Sequence, residues 1–187
     1  MKLLKIGVFA SLLSVVPFVQ ADDQQEATLS LMAISSGSAN LVNLAPEVRT
    51  ISTGVITEIQ LDDYKDSIFA YEFKVVDQTQ GYEHDLSYSV QDGALLNHKS
   101  ESLTTFGVSE LDNDELLAIE QVKKAGFDIL QKVVELEEKY SAKVLEVELE
   151  SEGVVFYEVE LASNEIGRQK ILINVATGEE IPVMKHN

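Results

Sequence analysis

Residues 144–161 set the architecture: Val144-Leu145-Glu146-Val147-Glu148-Leu149-Glu150, then Ser151-Glu152-Gly153, then Tyr157-Glu158-Val159-Glu160-Leu161. Val147, Leu149, Tyr157, Val159 and Leu161 alternate with Glu146, Glu148, Glu150, Glu158 and Glu160. Successive side chains of a strand point to opposite faces, so period two with one apolar set describes a half-buried antiparallel sheet. Ser151-Glu152-Gly153 supplies a hairpin turn, and Ser163-Asn164-Glu165-Ile166-Gly167 a second one. The strand after that turn carries Ile171, Ile173 and Val175 on the inward side.

The same three segments occur earlier in the chain, in the same order. Ile56-Thr57-Glu58-Ile59-Gln60-Leu61 matches 144–149, with Ile59 and Val147 lying 88 residues apart. Tyr71-Glu72-Phe73-Lys74-Val75 matches 157–161 at a separation of 86, and 86–93 matches 171–178 at 85. The drift falls between segments, where loops absorb it. The inward set of the first copy is Ile59, Leu61, Tyr71, Phe73, Val75, Leu86, Tyr88 and Val90. Tyr71 and Tyr157 are therefore expected at equivalent core positions.

A helical pattern precedes each set of strands. In the second, Asp112 caps and Glu115 completes a capping box. Leu116, Ile119, Val122, Gly126, Ile129, Val133, Leu136 and Tyr140 then recur at spacings of three or four, one apolar face, with Gly126 as its dividing point. In the first, 28–45 carries Leu29, Met32, Leu41 and Leu44, and Pro46 is expected to stop it. The expected fold is α+β: two repeated units, each a helix packed on a three-stranded antiparallel sheet. The first unit covers 22–96 and the second 112–187, joined by a polar, Ser/Thr-rich linker at 97–111.

Residues 1–21 read as a secretory signal: Lys2 and Lys5, an apolar run over 6–16, Pro17, and Val19-Gln20-Ala21 as the cleavage site. The mature chain is expected to start at Asp22, without membrane insertion, as a soluble periplasmic or secreted protein. Removing the signal takes away two lysines and no acid, leaving 12 basic and 32 acidic residues, net −20. Such a surface repels phosphate backbones and excludes nucleic-acid binding. The absence of cysteine excludes disulfides, thiolate zinc sites and a cysteine nucleophile.

In order and character the segments resemble the PepSY domain family, whose unit runs as a helix, a strand of alternating Glu, a strand carrying Tyr-Glu-Val and a strand ending in Asp-Ala-Xaa-Thr-Gly-Glu. The second copy is similar over 144–149, 157–161 and Asn174-Val175-Ala176-Thr177-Gly178-Glu179, with Asn174 in place of the family's Asp. The first copy departs further, ending Ser89-Val90-Gln91-Asp92-Gly93. The resemblance implies a small secreted or periplasmic module that occurs in protease propeptides, where control of a protease is proposed. It implies a binding or regulatory role without catalysis.

Chemistry-bearing motifs are sparse. His84, His98 and His186 are far apart in sequence, without paired-ligand spacing, so no metal site and no catalytic site is expected. No cofactor is expected either: nucleophile elbow, phosphate loop and dinucleotide glycine patterns are missing. Asp62, Asp63 and Asp66, like Asp112 and Asp114, read as loop acids. The unusual feature is the row of outward acids Glu146, Glu148, Glu158 and Glu160, which is either a solvated face or a docking surface for a protein or peptide partner. Without an EF-hand spacing, weak divalent-cation binding is the most these carboxylates support. The alternative function is an acidic, cation-binding or structural envelope protein.

Overall fold

The computed structural model describes residues 19–64 and 68–182, with side chains from residue 25 onward. The signal segment falls largely outside these residues, as do Asp66 and His186. Two helices come first, α1 (Val19–Ser36) and α2 (Leu41–Ile51). Four strands follow: β1 (Val55–Tyr64), β2 (Ile68–Asp77), β3 (Tyr82–Ser89) and β4 (Leu95–Ser102). A small hairpin, β5 (Thr104–Thr105) and β6 (Val108–Ser109), leads to α3 (Asn113–Ala125) and α4 (Ile129–Tyr140). The chain ends in β7 (Lys143–Ser151), β8 (Val155–Ser163), β9 (Gly167–Asn174) and β10 (Glu180–Ile181).

The class is α+β, but the strands do not form two separate three-stranded sheets. They form one eight-stranded antiparallel sheet in the order β10-β9-β8-β7-β1-β2-β3-β4. Separate sheets would each leave a hydrophobic strand with unpaired N–H and C=O groups at an edge, and joining β1 to β7 pairs them. Among the described residues each half brings two helices and four strands to this sheet, not one and three. The stretch read as a linker contains most of β4 and all of the β5–β6 hairpin. β4 is an edge strand exposed over nearly its whole length, so it shows no hydropathic alternation that could reveal it.

The strand order is symmetric about the β1–β7 junction. That seam consists of three register pairs, Glu58 with Glu148, Ile59 with Val147 and Gln60 with Glu146. On the β1 side the ladder with β2 shifts register at Thr57, and on the β7 side the ladder with β8 shifts at Leu145. Thr57 and Leu145 are also 88 apart, so a bulge recurs at matched places and brackets the seam at both ends.

The inward side chains meet the helices as their alternation requires. Ile59, Tyr71, Phe73, Val75, Val147, Tyr157, Val159, Leu161 and Ile173 are buried, with Leu61 and Leu149 only partly so. Tyr71 and Tyr157 are nearly inaccessible, and burial pushes both phenols well above the ordinary tyrosine range. Tyr157 stacks on Phe127, with ring centroids 5.6 Å apart, and donates to the Ile56 carbonyl at 2.7 Å. One half of the molecule thus anchors its core tyrosine on the first strand of the other.

The helices divide where local chemistry dictates. Asp112 accepts from the N–H groups of Asp114 and Glu115, and Glu115 closes the capping box on the Asp112 N–H. Gly126 ends α3 in the left-handed region (φ 61°), the conformation glycine adopts without strain. Asp128 then caps α4. In the first half the single expected helix is two. α1 ends at Gly37, where the backbone passes so close to the Val90 carbonyl that a Cβ would lie 2.2 Å from its oxygen. Asn40 caps α2, and Pro46 does not stop it, because it sits on the exposed side opposite the buried stripe Leu41, Leu44 and Val48. Leu29 and Met32 are exposed; among the described side chains of α1, Ala27, Ser30 and Ile34 are buried. Among the described residues, no helix is long and apolar enough to cross a membrane.

Candidate functional site

Beyond the bulge at Leu145, alternation puts Glu146, Glu148, Glu158 and Glu160 on the sheet face opposite the inward set, whereas Val144, before it, pairs with Leu161 in the core. Register then places Glu146 across from Glu160 and Glu148 across from Glu158. Across the seam Glu58 faces Glu148, and Gln60 faces Glu146. Three acids therefore lie abreast, Glu58–Glu148–Glu158, beside a second row of Gln60–Glu146–Glu160. Like charges directly opposite one another in a sheet destabilise it.

The ends of these rows are neutralised and the middle is not. Lys74 on β2 donates to Glu58 at 2.8 Å. On β9, Lys170 donates to Glu158 and Arg168 donates to Glu160. Arg168 also reaches Glu26 of α1 at 3.5 Å, so this cation links the sheet face to the first helix. Glu160 is only 5% exposed and belongs to the structure's own ion pairing, not to the solvent-facing surface expected of it. Glu146 and Glu148 are half-buried and have no hydrogen bond or ion pair among the described residues. Burial raises the Glu146 carboxyl above the ordinary glutamate range, and Glu148 and Glu160 push it further. Burial also raises Glu148, with Glu150, Glu58 and Glu158 adding to it. Lys170 offsets part of this at both residues, and Arg168 at Glu146, but neither cation bonds them, so these two side chains are the part of the face left without a direct partner among the described residues.

A second constellation escaped the sequence reading. His84 and His98, judged far apart, are brought together by the β3–β4 hairpin. Register pairs His84 with Ser100 and Leu86 with His98, so both histidines and Ser100 share the side of the sheet that carries Val75. His84 Nδ1 lies 3.3 Å from His98 Nε2 and 2.9 Å from Ser100 Oγ. The readable signal was parity: 84, 98 and 100 are all even positions of a hairpin turning near Gly93. Calling 97–111 a linker hid it. On the other face of the same hairpin, Glu83, Asp85 and Glu101 bring carboxylate oxygens within 4.8 Å of one another. Asp112 and Asp114, read as loop acids, sit at the start of α3, while Asp62 and Asp63 lie at the exposed end of β1.

No family model matches the chain, and no curated protein matches it. Among solved structures it is similar to a candidate lipoprotein from Clostridium difficile 630, at 15% sequence identity and a TM-score of 0.37. The alignment covers 76% of this chain and 89% of that one. A likeness so slight says nothing of activity or cellular place.

Proposed function

We propose that this chain is a non-catalytic, PepSY-like binding module of the cell envelope that acts by docking on another protein, a protease under control being the partner class the resemblance implies. The observation that carries the reading is the pair Glu146 and Glu148. Two half-buried carboxylates stand side by side with raised proton affinity while every neighbouring acid of their rows on β1 and β8 has a cation. A Lys or Arg of a partner placed between them removes like-charge repulsion as well as gaining attraction, so the face favours a basic segment. Export, as the amino-terminal segment indicates, puts the module where secreted proteases act.

The test is a partner isolated from envelope extracts and measured against wild type and a Glu146→Gln/Glu148→Gln variant across a salt series. These two positions have no internal bonding to lose, so the fold should survive. Weaker binding with a shallower salt dependence supports the face. Unchanged affinity and slope would move the contact to the outer edge of β4, where main-chain pairing dominates. Turnover of a substrate, abolished by a point substitution, would end the non-catalytic reading. The cation-binding alternative draws on Glu83, Asp85 and Glu101, and a rise in melting temperature on adding Ca²⁺, lost in Glu101→Gln, is its signature.

A further inference from the structure

The geometry points to a transition-metal site on the β3–β4 hairpin, formed by His84 Nδ1, His98 Nε2 and Ser100 Oγ, suited to Zn²⁺ or Cu²⁺ and leaving an outward position for water. This lies beyond the docking reading and does not depend on it.

The three donor atoms form a nearly equilateral triangle. The edges are 3.3 Å between the two nitrogens, 2.9 Å from His84 Nδ1 to Ser100 Oγ and 3.1 Å from Ser100 Oγ to His98 Nε2. Zinc–imidazole bonds of about 2.0–2.1 Å at the tetrahedral angle set adjacent donors about 3.3–3.4 Å apart. The two nitrogens already have that bite, and the hydroxyl needs to move out by only a few tenths of an ångström. The imidazole planes are tilted at 43° with centroids 5.5 Å apart, so the rings are not stacked face to face.

Hydrogen bonding serves two of these three contacts at most. A relay through the Ser100 hydroxyl, run in either direction between His84 Nδ1 and His98 Nε2, uses two protons and leaves the close N···N contact without one. A cation at the centre of the triangle engages all three lone pairs at once. His84 then carries its proton on Nε2, which is buried and has no partner among the described residues with or without the ion.

His98 and Ser100 are exposed on β4, so the ion has an entry path. Two imidazoles and a hydroxyl select Zn²⁺ or Cu²⁺ over Ca²⁺, which takes six to eight oxygens. The acids Glu83, Asp85 and Glu101 lie on the opposite face of the hairpin and form a separate locus.

The test is calorimetric and thermal titration of the untagged protein with Zn²⁺ and with Cu²⁺, with Ca²⁺ in excess as competitor. One saturable equivalent, a raised melting temperature, no displacement by Ca²⁺, and nitrogen couplings from two imidazoles in the Cu²⁺ spectrum are expected. His98 is exposed, so His98→Ala should fold. It should weaken binding by more than the about 10–100-fold that losing an outer-shell partner costs. His186→Ala should leave binding unchanged. Affinity unaltered in His98→Ala, loss of binding in His186→Ala, or the absence of saturable binding would overturn the site.

Discussion

At matched places on the outer face, β1 and β2 carry Glu58, Gln60, Glu72 and Lys74, whereas β7 and β8 carry Glu146, Glu148, Glu158 and Glu160. The next strand out reverses the contrast: β3 offers Glu83 and Asp85 where β9 offers Arg168 and Lys170. Lys74 stands opposite Asp85, and Glu160 stands opposite Lys170. What the halves share is therefore complementarity between the second and third strands, with the signs exchanged. The exchange has a price at the seam. In the first half Lys74 is close enough to answer Glu58; in the second its counterpart Glu160 repels Glu146. Glu148, where the first half has Gln60, adds a further acid. The unanswered pair arises from inverting one half's charge pattern while keeping the acids of its first strand.

The sharpest way to break this comparison is at the tyrosines. Tyr157→Ala should cost about 3–5 kcal/mol by chemical denaturation, the range for large core aromatics. Tyr71→Ala should cost less than Tyr157→Ala, because Tyr157 also supplies the bond to Ile56 that ties the halves together. A loss below about 0.5 kcal/mol at Tyr157, as at surface positions, would show that the inward set is misassigned. Next comes the sign exchange. Arg168→Leu strands the buried Glu160 and should cost about 2 kcal/mol, discounted from the about 3–5 for a fully buried pair because Arg168 keeps 27% side-chain exposure. Adding Glu160→Gln should recover most of that. Lys74→Ala, at the exposed counterpart, should cost under about 1 kcal/mol. Equal losses at the two cations would erase the distinction between the halves.

Smaller effects separate the helix breaks. Gly37→Ala forces a Cβ into the Val90 carbonyl and should cost about 1–3 kcal/mol, as overpacking does. Gly126→Ala meets no atom, only a left-handed backbone, and should cost about 1 kcal/mol. The reverse order would mean that space and conformation have been assigned to the wrong glycines. The smallest change is a gain: Glu148→Gln should stabilise by up to about 1 kcal/mol near neutral pH. The folded carboxyl binds its proton more tightly than the unfolded one, so its contribution is present below the unfolded pKa and is lost as pH rises through the raised folded value. Melting curves should show the variant's advantage growing with pH across the glutamate range and vanishing in acid. An advantage that persisted in acid would assign the effect to something other than charge.

How far the molecule was legible depended on where each element lies. Strands with one wet and one dry face, such as β7 and β8, announced themselves by period two, and the cap at Asp112 and the break at Gly126 were readable from local chemistry. Hydropathy records faces, not edges, so Ile59 and Val147 looked alike whether their strands ended a sheet or continued it. The polar β4 looked like a linker for the same reason. The acids Glu146, Glu148, Glu158 and Glu160 were found in sequence, but which of them pair depended on β9 register, and Glu160 is a buried structural ion. The histidines were missed because their proximity is created by a strand without a hydrophobic signature.

The seam between β1 and β7 has a further consequence for how copies of this chain can share structure. Its three pairs, closed off by matched bulges, relate the halves by a local two-fold, so a half cannot distinguish its own complement from that of another molecule. Exchange would rebuild the same ladder, the same Ile59–Val147 contact and the same tyrosine bond between two chains, with only the crossing segment around 103–112 rearranged. Entanglement by swapping therefore requires no new complementary surface, only concentration and transient opening. The β5–β6 hairpin sits in that crossing segment. Shortening it would favour exchange by keeping a chain from folding back on itself, and size measurements of such a variant against wild type would show the shift.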